Sequence, residues 1–338
     1  MLVPQKRPFP VRKRETRDGR REENTLSQTS LSTASQKRAH LWRRMVARKY
    51  CYLMLIPVAA YFIIFCYIPM YGLLISFQDY KVFKGIWGSE WVGLQNFRDF
   101  VNGRQFWPVI GNTLILNLES LCFTFTMPII FALLLNELRS ARFCKTIQTI
   151  TYMPHFISTV VVVSMMQMLL SPTNGIINQL IMKAGNKPIY FMNKAEFFRP
   201  LSIASGVWQD TGWSSIIYLA AIAGIDPVYY EAATIDGATW WQKIVKITLP
   251  CIRTTILIML ILRMGQMMNS NFEKVMLMQT SGNKSVSQLL STYVYERGVL
   301  NSDFGYATAV SLFNSLVSLL LVGLANFTSR KLAGESLW

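Results

Sequence analysis

The sequence predicts an all-α integral membrane protein with six transmembrane helices, and three observations carry that expectation. Hydrophobic residues make up 51% of the chain and charged residues only 15%, against about a quarter charged in ordinary soluble proteins. Mean hydropathy is positive, at +0.28. Six apolar runs then reach or approach the roughly 20 residues that a spanning helix needs: residues 51–76, 109–135, 147–170, 201–224, 251–269 and 306–326.

Residues 1–49 precede the first run as a basic tail. They carry fourteen lysines and arginines against four acids, which is +10 of the net +16. Few aromatics and many Ser, Thr and Gln predict disorder there. Arg43, Arg44, Arg48 and Lys49 abut the first run, a pattern expected of a cytoplasmic anchor attracted to anionic lipid. The excess charge therefore points to a membrane surface and not to nucleic acid. The first run begins too late for a signal peptide, so it reads as an uncleaved anchor. With the tail inside, six spans return residues 331–338 to the cytoplasm, leaving 50–330 as the membrane domain.

The five cysteines, Cys51, Cys66, Cys122, Cys144 and Cys251, lie in or beside apolar runs with no CxxC pair, and read as small packing residues with neither a disulfide framework nor a metal site. Between the first two runs, segment 85–100 is aromatic-rich, and Trp91, Leu94, Phe97 and Phe100 are spaced for one face of an interfacial helix. Pro172, Asn174 and Gly175 break the chain after the third run.

The loop 225–250, inside the cytoplasm in this orientation, is the most informative segment. Asp226 before Pro227 predicts an N-cap and first turn. Gly237 predicts the end of that helix, because a residue without Cβ enters the left-handed region freely. Thr239 and Gln242 have capping-box spacing and predict a second helix. Leu249 and Pro250 then lead into the fifth run. A helix, turn and helix with small alanines exposed on it suits docking into a groove on another protein.

Glu231-Ala232-Ala233, Gly237, Ile247 and Leu249-Pro250 match at every spacing the EAA signature, and the loop thereby resembles that of binding-protein-dependent ABC importer permeases. The segments LLNELRSARFCKTIQTITYMPHFIS and GWSSIIYLAAIAGIDP are similar to the oligosaccharide and polysaccharide branch, whose fold is that of the maltose importer's membrane subunits. Departures are Trp240, where the family often has a smaller or basic residue, and Ile244, where it often has Phe. The resemblance implies a type I ABC importer permease fold in a bacterial plasma (inner) membrane, and a coupling helix seated in a cleft of an ATP-binding subunit. Glu231 would make the polar contact, Ala232 and Ala233 the close-packing face, and Asp236 and Gly237 the turn. It also implies a second homologous permease, two ATP-binding subunits and an extracytoplasmic solute-binding protein. No GxxxxGK[ST] phosphate cradle occurs in the chain. No catalytic residue or cofactor is therefore expected here, with ATP and magnesium on the partner ATPase.

Three formal charges fall inside apolar runs, where each is costly unless paired or wetted. At 1.5 Å per residue, Glu119 lies about 15 Å and Asp210 about 14 Å inside the outer ends of their runs, and Arg263 about 18 Å from an inner end. Glu119, Asp210 and Arg263 are expected to face a shared interior with Trp208, Gln209, Trp213, Gln266 and Asn269. Aromatic faces stack on sugar rings while amides and carboxylates take hydroxyls, so the set suits carbohydrate. The alternative is a Glu119–Arg263 ion pair that only fixes packing. His155 has no metal-ligating partner at useful spacing and is assigned no role. Two other functions stay open from sequence: a secondary transporter using Glu119 or Asp210 as a proton site, and a membrane scaffold that transports nothing.

Overall fold

The computed structural model describes residues 49–138, 140–268 and 271–333, and the basic tail before Lys49, Asn269 and the last five residues lie outside them. The chain divides after Tyr71 into two units. The described part of the first is helical and belongs to the long apolar helix α1, Lys49–Phe77. Its Leu53, Met54, Ile56, Phe62 and Phe65 are all exposed, as expected of a surface that meets lipid or another apolar chain.

The second unit opens with the last turns of α1 and continues into a two-residue antiparallel ladder, β1 Gln78–Asp79 on β2 Glu90–Trp91, registered Gln78 to Trp91. It is followed by α2, Gln95–Val101. The interfacial helix expected within 85–100 is thus interrupted, with one helical turn at Gly85–Gly88 between the two strands and the rest beginning only at Gln95. The Val92 amide donates to the Phe77 carbonyl at 2.9 Å, and this backbone pairing holds Trp91 in a strand. Asn96 ties α2 back to the ladder through the carbonyls of Ser76 and Gln78. Phe100 is buried against Phe106, Tyr293, Tyr306 and Phe313, whereas Trp91 and Leu94 are exposed.

Among the described residues, three helices are long and apolar enough to cross a membrane: α1, α3 (Phe106–Asn136) and the last helix. Three bent pairs raise the number to six if each is one span. The first pair, α4 (Ala141–Phe156) and α5 (Thr159–Leu169), bends by 97°. The single run 147–170 read from sequence is therefore broken, and the residues at the break say why. Pro154 lacks an amide hydrogen and starts a tight final turn, Ile157 is extended, and Ser158 caps α5 by accepting from the Val161 amide. After α6, Ile176–Lys183, the second pair joins α7 (Ala195–Ala223) to α8 (Pro227–Ile235) at 70°, and the third joins α9 (Trp240–Cys251) to α10 (Arg253–Gln266) at 62°. The short helices α11 (Phe272–Met278) and α12 (Leu290–Tyr295) precede α13, Phe304–Ala333.

Helix α7 is the organising element. Its Phe198 packs with Leu116, Val163, Val275, Met278 and Leu289 at one level, and its Tyr218 and Ile222 with Ala132 and Ile252 at another. It approaches α4 so closely that a Cβ on Gly212 would lie 2.2 Å from the Thr151 carbonyl oxygen, so no larger residue fits. This contact holds the broken third span against the fourth and fixes the polar groups that each carries.

Candidate functional site

The bent hairpin α8–α9 is built by its caps. The Asp226 carboxylate accepts from the Val228 amide at 3.0 Å, with Pro227 at the first helical position. At the far end the amides of Asp236, Gly237 and Ala238 return to the carbonyls of Ala232, Thr234 and Ala233. Gly237 takes φ +74° there, a conformation that disfavours any side chain by about 1–2 kcal/mol. Thr239 and Gln242 then form a reciprocal capping box. Two further bonds brace the arms: Lys243 Nζ donates to Thr234 Oγ1 at 2.8 Å, and the Tyr230 and Thr248 hydroxyls lie 2.9 Å apart.

The result is a stiff projection with an unsatisfied surface. Glu231, Ala232, Asp236 and Gly237 are exposed and Ala233 is half-buried. Ile235 at the tip is 87% exposed, a position where an apolar side chain gains nothing unless a partner covers it. Glu231 makes no ion pair among the described residues. It borders a cavity of about 550 Å³ with Glu137, Tyr230, Trp240 and Lys243.

The interior residues fall into two groups. In the first, Asp210 accepts from or pairs with His155 Nδ1 at 3.0 Å, and the His155 ring stacks on Trp213 with centroids 4.8 Å apart and planes 3° apart. Gln209 donates to the Ile157 carbonyl at 2.8 Å. Gln209, Asp210 and Trp213 thus all grip the break between α4 and α5. Arg263 donates to Thr124 Oγ1 at 3.4 Å and, with Asp210, Ser214 and Tyr218, encloses a cavity of about 80 Å³. Lys274, buried on α11, joins this group. Burial pulls its ammonium below the ordinary lysine range, the carboxylate of Asp210 opposing that and the charge of Arg263 adding to it.

In the second group, Glu119 and Trp208 line a separate cavity of about 880 Å³ together with Arg199. The single interior expected for Glu119, Asp210 and Arg263 is accordingly divided, and no Glu119–Arg263 ion pair forms among the described residues. Gln266 is exposed, and Asn269 lies outside the described residues. Sequence reasoning passed over three residues of this interior. His155 finds its partner 55 positions away, which spacing cannot reveal, although its place after Pro154 at a helix break was a signal. Arg199 falls just before the predicted fourth run and Lys274 just after the fifth, so neither counted as an intramembrane charge.

Residues 104–334 match the family of binding-protein-dependent transport system inner membrane components. The chain is 44% identical over 303 residues to the polygalacturonan/rhamnogalacturonan transport system permease protein YteP of Bacillus subtilis strain 168, covering 90% of this chain and 94% of that protein. It is 44% identical over 298 residues to protein LplB of the same organism, covering 88% and 94%. Among solved structures it matches a chain of a bacterial alginate ABC transporter in complex with an alginate pentasaccharide-bound periplasmic protein, with a TM-score of 0.82 and 39% identity over 88% of this chain and 99% of that one. The family match extends over more than half of the chain, and the sequence-based reading of the hairpin agrees with it. The protein is therefore a member of the family of inner membrane components of binding-protein-dependent transport systems.

Proposed function

We propose that this chain is the permease subunit of an ATP-driven importer that carries a carbohydrate, an oligosaccharide or polysaccharide fragment delivered by a solute-binding protein, across a bacterial plasma membrane. Six spans with both termini in the cytoplasm place the α8–α9 hairpin on the side where ATP is available. A second homologous permease completes the path, and two ATP-binding subunits hold ATP and magnesium. The observation that carries the reading is the braced hairpin with Glu231, Ala232, Ala233 and the bare Ile235 presented on its surface. Support for the substrate class comes from the relatives, whose names specify polygalacturonan or rhamnogalacturonan and alginate.

In this reading each part has a mechanical role. Closure of an ATPase pair displaces the hairpin as a rigid body, because its caps and the Tyr230–Thr248 and Lys243–Thr234 bonds resist internal bending. The displacement enters α7 through the 70° corner at Asp226 and α10 through the 62° corner at Ile252. Since α7 also holds the break of the third span through Gln209 and Asp210, motion at the cytoplasmic end reaches the polar interior.

The test is uptake of a labelled oligogalacturonide by proteoliposomes containing the whole assembly and its binding protein. The reading predicts uptake that requires internal ATP and is lost in Glu231→Arg while the variant chain still inserts. Uptake driven by a proton gradient without ATP would refute it.

A further inference from the structure

Arg199 lies in the first turns of α7, on the row Arg199–Ile203–Val207 that lines the 880 Å³ cavity with Glu119 and Trp208. One of its terminal nitrogens donates to Asn112 Oδ1 at 3.2 Å. Asn112 is itself held, because its amide donates to the carbonyls of Ser285 at 2.8 Å and Gln288 at 3.4 Å. Its oxygen is thereby aimed at the guanidinium and cannot turn away. No carboxylate pairs with Arg199 among the described residues, and its buried Nε has no hydrogen-bond partner there. The nearest candidate for a counter-ion on α7, Glu196, is engaged by Lys194 at 3.3 Å.

A guanidinium is always charged, and its planar fork matches a carboxylate with two parallel bonds. Holding one in place beside apolar groups without its anion is costly unless an anion arrives. The neighbouring Trp208 offers a flat apolar face and Glu119 an acceptor for hydroxyls. Those are the recognition elements of a sugar ring that also bears an acid.

We propose that Arg199, oriented by Asn112, is a specificity-determining residue that takes the carboxylate of an acidic sugar as the oligosaccharide enters the cavity lined by Trp208 and Glu119. The inference rests on the carbohydrate reading above and deepens it from sugars in general to uronic-acid oligomers.

The experiment is uptake, by cells carrying the intact importer, of a galacturonic-acid trimer and of the same trimer with its carboxyls reduced to alcohols. Arg199→Gln should lower uptake of the acidic trimer by roughly ten- to hundredfold, the weight of a lost charge-assisted hydrogen bond, and leave the reduced trimer unchanged. Arg199→Lys, which keeps the charge and loses the fork, should fall between. Immunodetection of the assembled complex in membranes separates folding from function, and the unchanged reduced-trimer uptake checks the same point. An equal fall for both trimers, or no fall for either, overturns the assignment of Arg199. Wild-type uptake of the reduced trimer alone overturns the uronate assignment but keeps the carbohydrate reading, whereas wild-type uptake of neither trimer overturns both.

Discussion

At the scale of single residues, the interior is a problem of charge balance. An acid, Asp210, meets two bases there, Arg263 and Lys274, and Lys274 is pulled toward neutrality by burial and away from it by Asp210. Among the described residues Arg263 makes no ion pair, and its hydrogen bond to the Thr124 hydroxyl is long, at 3.4 Å. Replacing it with methionine therefore removes no ion pair and leaves Lys274 to balance Asp210. Arg263→Met should assemble in normal amounts, by gel filtration of the detergent-solubilised complex, yet transport at least about tenfold more slowly, a change of about 1.4 kcal/mol in the barrier. Failure to assemble would assign Arg263 to packing alone.

At the scale of elements, the break in the third span is the feature most open to direct perturbation. It is formed by Pro154 and the Ser158 cap and gripped from α7 by Gln209 and Asp210. Removing the cap in Ser158→Ala should cost about 1 kcal/mol, seen as a fall of a few degrees in the melting temperature of the purified assembly. An unchanged melting temperature would mean that packing on α7 alone maintains the bend. The same element shows what sequence can and cannot reveal. The hairpin was legible because Asp226, Gly237, Thr239 and Gln242 act within four residues of themselves, and local chemistry decides their conformation. The apolar runs were legible because a bilayer imposes a length. The 97° bend was not, since Pro154 tolerates either a kink or a stop and the choice depends on α7. Trp91 left its expected helix for an equally non-local reason, the backbone pairing with Gln78 thirteen positions earlier. The candidate path divided into two cavities because depth along a helix says nothing of which way a side chain turns around it.

At the scale of the whole molecule, the proposed function requires force generated elsewhere to enter through a small exposed feature, and the α8–α9 hairpin is the part we propose to receive it. Its caps make it stiff, its corners join it to two spans, and Ile235 at its tip is left uncovered by the described residues. The most direct measurement replaces Ile235 with cysteine in a chain stripped of its five natural cysteines, and asks what that thiol can reach in the assembled importer. The expected result is a cross-link to an ATP-binding subunit, altered by ATP, with no labelling by an impermeant maleimide added outside intact cells. Labelling from outside, or a thiol that cross-links to no ATPase in any nucleotide state, would contradict it.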